Sequence, residues 1–99
     1  MKVENITSNN GNKIANQFVI TDKAGNEYFQ SYKSTIVYKD YNYNNGQELK
    51  VYLDQKYWNY SNTTGKYRNI FLDETITETK KKIKSGEYIL TDLNKCEGE

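Results

Sequence analysis

Apolar and polar residues alternate through the first half of the chain and recur at helical spacing in the second. Lys2–Thr7 alternates weakly, with Val3 and Ile6 apolar, and predicts a short strand. The Asn- and Gly-rich stretch Ser8–Asn12 predicts a turn, since both residue types tolerate positive φ. Ile14–Thr21, centred on Phe18-Val19-Ile20, predicts a second strand. Asp22–Asn26 closes a hairpin around Gly25, and Glu27–Tyr32 returns with Tyr28, Gln30 and Tyr32 on one face and Phe29 on the other. Ser34–Tyr38 is β-branched and aromatic, the strongest strand signal by residue type. Asp40–Gln47 is polar, with Asn45-Gly46 as its turn. Leu49–Leu53 then alternates, placing Leu49, Val51 and Leu53 inward and Lys50 and Tyr52 outward.

Beyond Leu53 the period changes. Asp54–Tyr60 is aromatic and irregular and predicts a connector. Ser61 or Asn62 can cap a helix over Thr64–Leu72, whose apolar face is Tyr67, Ile70 and Phe71. Gly65 weakens that helix by about 1 kcal/mol relative to Ala. Thr75-Ile76-Thr77-Glu78 matches a capping box and opens a second helix, with Ile76, Thr79 or Lys80, and Ile83 inward. Its last turns carry Lys80–Lys84, cations that meet the negative end of the macrodipole, and Gly86 follows where a helix stops. Tyr88–Thr91 predicts the last strand, and residues from Asn94 a flexible tail. The order predicts one α+β domain over residues 1–99: a mostly antiparallel sheet of about five strands, with two short helices packed on one face.

Composition narrows what such a domain does. At 99 residues there is room for one modest core. Only 35% of residues are hydrophobic and ten are Tyr, so the rings are expected half out, with carbon inward and oxygen wet. A net charge of +1, from 14 basic and 13 acidic residues, argues against a domain held on nucleic acid mainly by phosphate attraction. It argues equally against an acidic nucleic-acid mimic. With no His and one Cys, Cys96, catalytic triads are absent and zinc sites nearly so. No phosphate-binding glycine loop or calcium loop is present. Asp22, Asp40, Asp54, Asp73 and Glu74 lie beside expected turns or element ends, where solvated carboxylates are ordinary. The expectation is a non-enzyme with no metal and no cofactor. A single thiol, an N-terminus without an apolar run and no membrane-length apolar stretch set the further expectation of a cytoplasmic protein.

Two aromatic groups are candidate contact residues. Tyr57, Trp58 and Tyr60, with Lys66 and Arg68, combine the residue types that dominate protein interfaces. Aromatics interleaved with cations also suit single-stranded nucleic acid, and the same rings can plug the gap between sheet and helices. Tyr41 and Tyr43 extend from Tyr38 as a second cluster, with Tyr52 on the same outer sheet face.

Over Leu49–Asn94 the pattern Val51-Tyr52-Leu53-Asp54, Lys56-Tyr57-Trp58-Asn59-Tyr60-Ser61, Lys66-Tyr67-Arg68-Asn69 and Glu78–Tyr88 resembles short proteins carried by phages, prophages and plasmids of low-GC Gram-positive bacteria. The resemblance carries no catalytic motif. It implies a small accessory protein that binds a host or phage protein, with an anti-CRISPR inhibitor of a CRISPR–Cas effector as one specific form.

Overall fold

The alternating half of the chain folds into a meander. In the computed structural model, which describes residues 1–8 and 10–94, β1 (Lys2–Thr7), β2 (Lys13–Thr21), β3 (Glu27–Ser31), β4 (Ser34–Asn42) and β5 (Glu48–Asp54) pair with their sequence neighbours, all antiparallel. A single helical turn, α1 (Tyr43–Gly46), replaces the expected open loop between β4 and β5. Asn44 and Asn45 hold positive φ within it, which their short polar side chains tolerate. The chain then crosses over through α2 (Asn62–Leu72) and α3 (Ile76–Ser85), and β6 (Tyr88–Thr91) joins β5 in parallel. The α+β expectation holds, with six strands rather than about five and α1 as an added helical turn.

Pairing register sorts the side chains. Glu4, Val19, Phe29, Val37, Leu53 and Leu90 form one row across all six strands, on the face that the helices cover. Phe29, Val37 and Leu53 are fully buried in that row. A bulge where β3 pairs with β4 lets the adjacent residues Ile36 and Val37 both reach 0% exposure, which strict alternation forbids. Phe71 of α2 stacks on Phe29 with centroids 5.8 Å apart. A hydrogen bond of 3.0 Å between the hydroxyls of Ser31 and Thr64 joins β3 to α2. Lys39, mid-strand on the covered face, donates from Nζ to the Phe71 carbonyl at 2.9 Å. The same ammonium sits 4.3 Å from the Phe71 ring centroid. It thereby supplies a cation to the C-terminal turn of α2, where the expected sequence signals offered none.

The helix boundaries follow their local chemistry. Ser61 caps α2, its hydroxyl accepting from the Thr64 amide, and Asp73 ends it in the left-handed region at φ 55°. Thr75 and Glu78 form the reciprocal capping box of α3, and Gly86 ends it at φ 87°. Thr75→Ala is expected to cost about 1 kcal/mol in urea denaturation, because the Glu78 amide loses its acceptor. A cost under a few tenths would mean that the box contributes nothing.

Three expectations need correction. Ile70, placed on the inner face of α2, is 54% exposed. The buried stripe instead runs through Thr64, Tyr67, Arg68 and Leu72. Leu49, expected inward, is 50% exposed at the mouth of a cleft. Asn94, expected to begin a tail, is tied down: its side chain accepts from the Thr35 amide and donates to the Thr35 carbonyl and to Asp54 Oδ1. Cys96 and the rest of the expected tail lie outside the described residues.

Candidate functional site

The uncovered face of the sheet carries the second row. Register aligns Val3, Ile20, Tyr28, Tyr38, Tyr52 and Ile89 across all six strands. Tyr28 stacks on Tyr38 with centroids 4.6 Å apart and an interplanar angle of 18°. Tyr38 stacks on Tyr52 at 5.8 Å and 17°. These separations track the roughly 4.8 Å spacing of neighbouring strands, so the rings stand side by side along the row. The stacks cover both faces of Tyr38 and one face each of Tyr28 and Tyr52, and the ring edges and hydroxyls point away from the sheet. All three rings are half-buried although, among the described residues, no helix lies over them.

Charge around the row is mixed. Tyr28 donates its hydroxyl to Asp22 Oδ2 at 3.4 Å. Asp40 and Lys50 face each other across β4 and β5, one pair further along. Burial first, then the neighbouring Tyr28 and Asp40, pushes the Tyr38 hydroxyl up to about 12. Burial and then Asp22 raise Tyr28 in the same direction. Both hydroxyls therefore stay protonated at neutral pH and serve as donors.

The residues singled out from sequence are split by the fold. Tyr41 and Tyr43 sit at the exit of β4, whereas Tyr57 and Trp58 follow the far end of β5. The antiparallel pairing of β4 and β5 puts a whole strand, about 20 Å, between the two groups. Tyr41 is 40% exposed and donates to Glu27 Oε1 at 2.8 Å; Tyr43 is 39% exposed. Burial and the Glu27 hydrogen bond push the Tyr41 hydroxyl up to about 12. At the other end, Tyr57 and Trp58 pack half-buried against the core. Tyr60 is 49% exposed and meets Tyr57 edge-on at 5.3 Å. Lys66 is exposed, with its ammonium 5.4 Å from the Tyr67 ring.

Arg68 is not the surface cation expected. It is 1% exposed, and its Nη1 donates to the Trp58 carbonyl at 2.7 Å and to Asn59 Oδ1 at 3.0 Å. Nη2 donates to Asn69 Oδ1 at 2.9 Å. The guanidinium also lies 5.4 Å from the Trp58 ring, so it fastens the connector to α2. It falls on the buried stripe because position 68 follows Thr64 by four residues.

Two carboxylates considered for chemistry are occupied structurally. Asp54, 1% exposed, accepts from the amides of Lys56, Tyr57 and Leu93 and from Asn94 Nδ2. Glu74 Oε1 accepts from Lys82 Nζ at 2.8 Å and from the Tyr88 hydroxyl at 2.7 Å, and Oε2 from the Thr79 hydroxyl. This network backs a cleft of about 240 Å³ lined by Lys39, Val51, Leu72, Lys82 and Tyr88 among others. Burial drives the Lys39 ammonium below its usual range. Among the described residues, no three His, Cys, Asp or Glu side chains gather as they would around a metal. No described helix is long and apolar enough to cross a membrane.

The stacked tyrosines were only partly visible in sequence. Alternation places Tyr52 outward, but only strand register shows that Tyr28, Tyr38 and Tyr52 fall on one line. The site geometry is thus that of a helix-backed sheet with one aromatic face that no described helix covers. The chain belongs to a family of unknown function (DUF8033), which it matches over residues 1–89. No curated protein matches it, and no solved structure does.

Proposed function

We propose that this chain is a non-catalytic accessory protein that binds another protein through the uncovered face of its sheet. The observation that carries the reading is the row Ile20–Tyr28–Tyr38–Tyr52–Ile89, apolar and aromatic across five adjacent strands with no described helix over it. Such a row is rich in the residue type most enriched at protein interfaces, and its hydroxyl edges can donate to a partner's backbone. The partner class favoured by the resemblance of Leu49–Asn94 is a host protein, with a CRISPR–Cas effector as the specific candidate.

Protein is favoured over single-stranded nucleic acid by ring orientation. Bases stack on open ring faces, and here both faces of Tyr38 and one face each of Tyr28 and Tyr52 are occupied by neighbouring rings. Asp22 and Asp40 beside the hydroxyls also disfavour a phosphate backbone.

The test is affinity capture from host lysate with wild type and with Ile20→Lys/Ile89→Lys, which charges both ends of the row and leaves the tyrosine stack intact. The captured protein is then purified and its binding titrated. The double variant should keep its circular-dichroism spectrum and lose at least tenfold in affinity, a change of about 1.4 kcal/mol. Unchanged affinity of the folded variant, or a wild type that retains only fluorescent single-stranded oligonucleotides, would overturn the proposal.

A further inference from the structure

The sheet ends on β1, whose single strand neighbour among the described residues is β2. An edge strand turns every second N–H and C=O outward, ready to pair with another chain. Natural edges are commonly blunted by proline, by a bulge or by charge. The chain has no proline, and the register shift of β1 falls between Asn5 and Thr7. Lys2–Asn5 pair with β2 in regular register, so that stretch is guarded by the charges of Lys2 and Glu4 alone.

Those two charges do not repel a second copy. Identical edges pair antiparallel about a two-fold axis perpendicular to the sheet. Directly opposed residues then share a face, so Lys2 and Glu4 can oppose one another or themselves but not Val3. With Lys2 or Glu4 at the axis, like charges meet. With Asn5 at the axis, the irregular Asn5–Thr7 stretch enters the ladder. With Val3 at the axis, Lys2 stands opposite the partner's Glu4, and symmetry makes that attraction twice.

The side chains are free to make this exchange. Lys2 and Glu4 are 71% and 62% exposed and lie 3.4 Å apart along their own strand. A pair so exposed adds little to the isolated chain, so changing partners costs little. Val3, 58% exposed, points to the opposite face and heads the row that continues through Ile20 and Tyr28. At the axis it meets its own copy, which joins two such rows through an apolar contact.

We propose that β1 pairs antiparallel with β1 of a second copy of this chain about Val3, joining two six-stranded sheets into one that carries both tyrosine rows on the same face. So short a ladder buries less than the roughly 1,200 Å² of a stable complex, so the dimer is weak, with a dissociation constant on the order of 100 μM. The charges that set the pairing point to the helix side of the sheet, so this edge and the proposed docking face can fail separately.

The experiment is sedimentation velocity on the full chain with a reducing agent, from roughly 10 μM to 1 mM, the span a weak interface requires. Wild type is expected to pass from monomer to dimer across that range and no further. Lys2→Glu and Glu4→Lys each set like charges opposite one another at both symmetric positions, and each should weaken association at least tenfold. Both side chains are exposed, so the circular-dichroism spectra should not change. Mixed in equal amounts, the two variants restore opposite charges at every pairing, and the mixed dimer should return to within about threefold of wild-type affinity. Four results would each overturn the proposal: a wild type still monomeric at the highest concentration, single variants that associate as wild type does, a mixture no tighter than its components, or growth beyond two copies, as head-to-tail β1–β6 pairing would give.

Discussion

Asp54→Asn is expected to destabilise the domain by about 3 kcal/mol or more, a fall in Tm of roughly 12–24 °C, without altering any exposed residue. Both Asp54 oxygens are committed. Oδ2 accepts from the amides of Lys56 and Tyr57 at 3.0 and 2.8 Å. Oδ1 accepts from the Leu93 amide at 2.8 Å and from Asn94 Nδ2 at 3.0 Å. An asparagine amide has one acceptor oxygen and one donor nitrogen. Whichever way it turns, two donors face an NH₂ group instead of an oxygen. Hydrogen bonds to a charged group contribute about 1.5–3 kcal/mol each, and the orphaned donors add a desolvation cost. For a domain whose total stability is on the order of 5–15 kcal/mol, this is a large fraction. The loss should also be long-range, because Asp54 joins the end of β5 to the segment after β6, and Asn94 passes the connection on to Thr35 of β4. Thermal and urea denaturation followed by circular dichroism measure it. A loss below about 1 kcal/mol would show that water replaces the carboxylate adequately.

The same residue shows where sequence reading succeeds and where it stops. Local chemistry is legible: the capping box at Thr75–Glu78 and the stop at Gly86 follow from side chains within one turn of each other. Strand alternation is legible too, since Tyr52 outward and Leu53 inward require only a period of two. What sequence does not supply is the register between strands and the partners of polar residues. Asp54 precedes a turn, where a solvated Asp is ordinary, and two of its four partners lie 39 and 40 residues away. Arg68 looks like a surface cation until the buried stripe of α2 is known to pass through it. Ile70 reads as part of that stripe because it is apolar, but the helix buries Arg68 and Thr64 there instead. The tyrosine row is the product of four registers in series, and a one-residue slip in any of them would scatter it between faces.

Glu74→Gln should cost about 2 kcal/mol at pH 7, and the gap to wild type should shrink as the solution is acidified. Burial works to raise the Glu74 carboxyl. Hydrogen bonds from Lys82, Thr79 and Tyr88, with the Lys82 charge, outweigh it and hold the group below its ordinary value of 4.5. A carboxylate whose folded value is depressed contributes stability that is present above the unfolded value and lost as pH falls through the folded one. Wild type should therefore lose this contribution below about pH 4.5, whereas the glutamine variant has no such proton to take up. The opposite limb follows from the same cluster. Burial, then the Glu74 hydrogen bond, pushes the Tyr88 hydroxyl from 10.0 up to about 12, and the hydrogen bond to Glu74 raises Lys82 above its usual range. Groups raised on folding contribute stability that is complete below their unfolded values and fades as pH rises through the folded ones. Alkaline unfolding of wild type should accordingly begin above pH 10, earlier in Tyr88→Phe only if the ring hydroxyl contributes net stability at pH 7. Urea midpoints for wild type and Glu74→Gln at pH 7, 5 and 3 provide the measurement. A stability gap that stays constant across that series would mean that Glu74 is not the group whose protonation loosens β6 from α3.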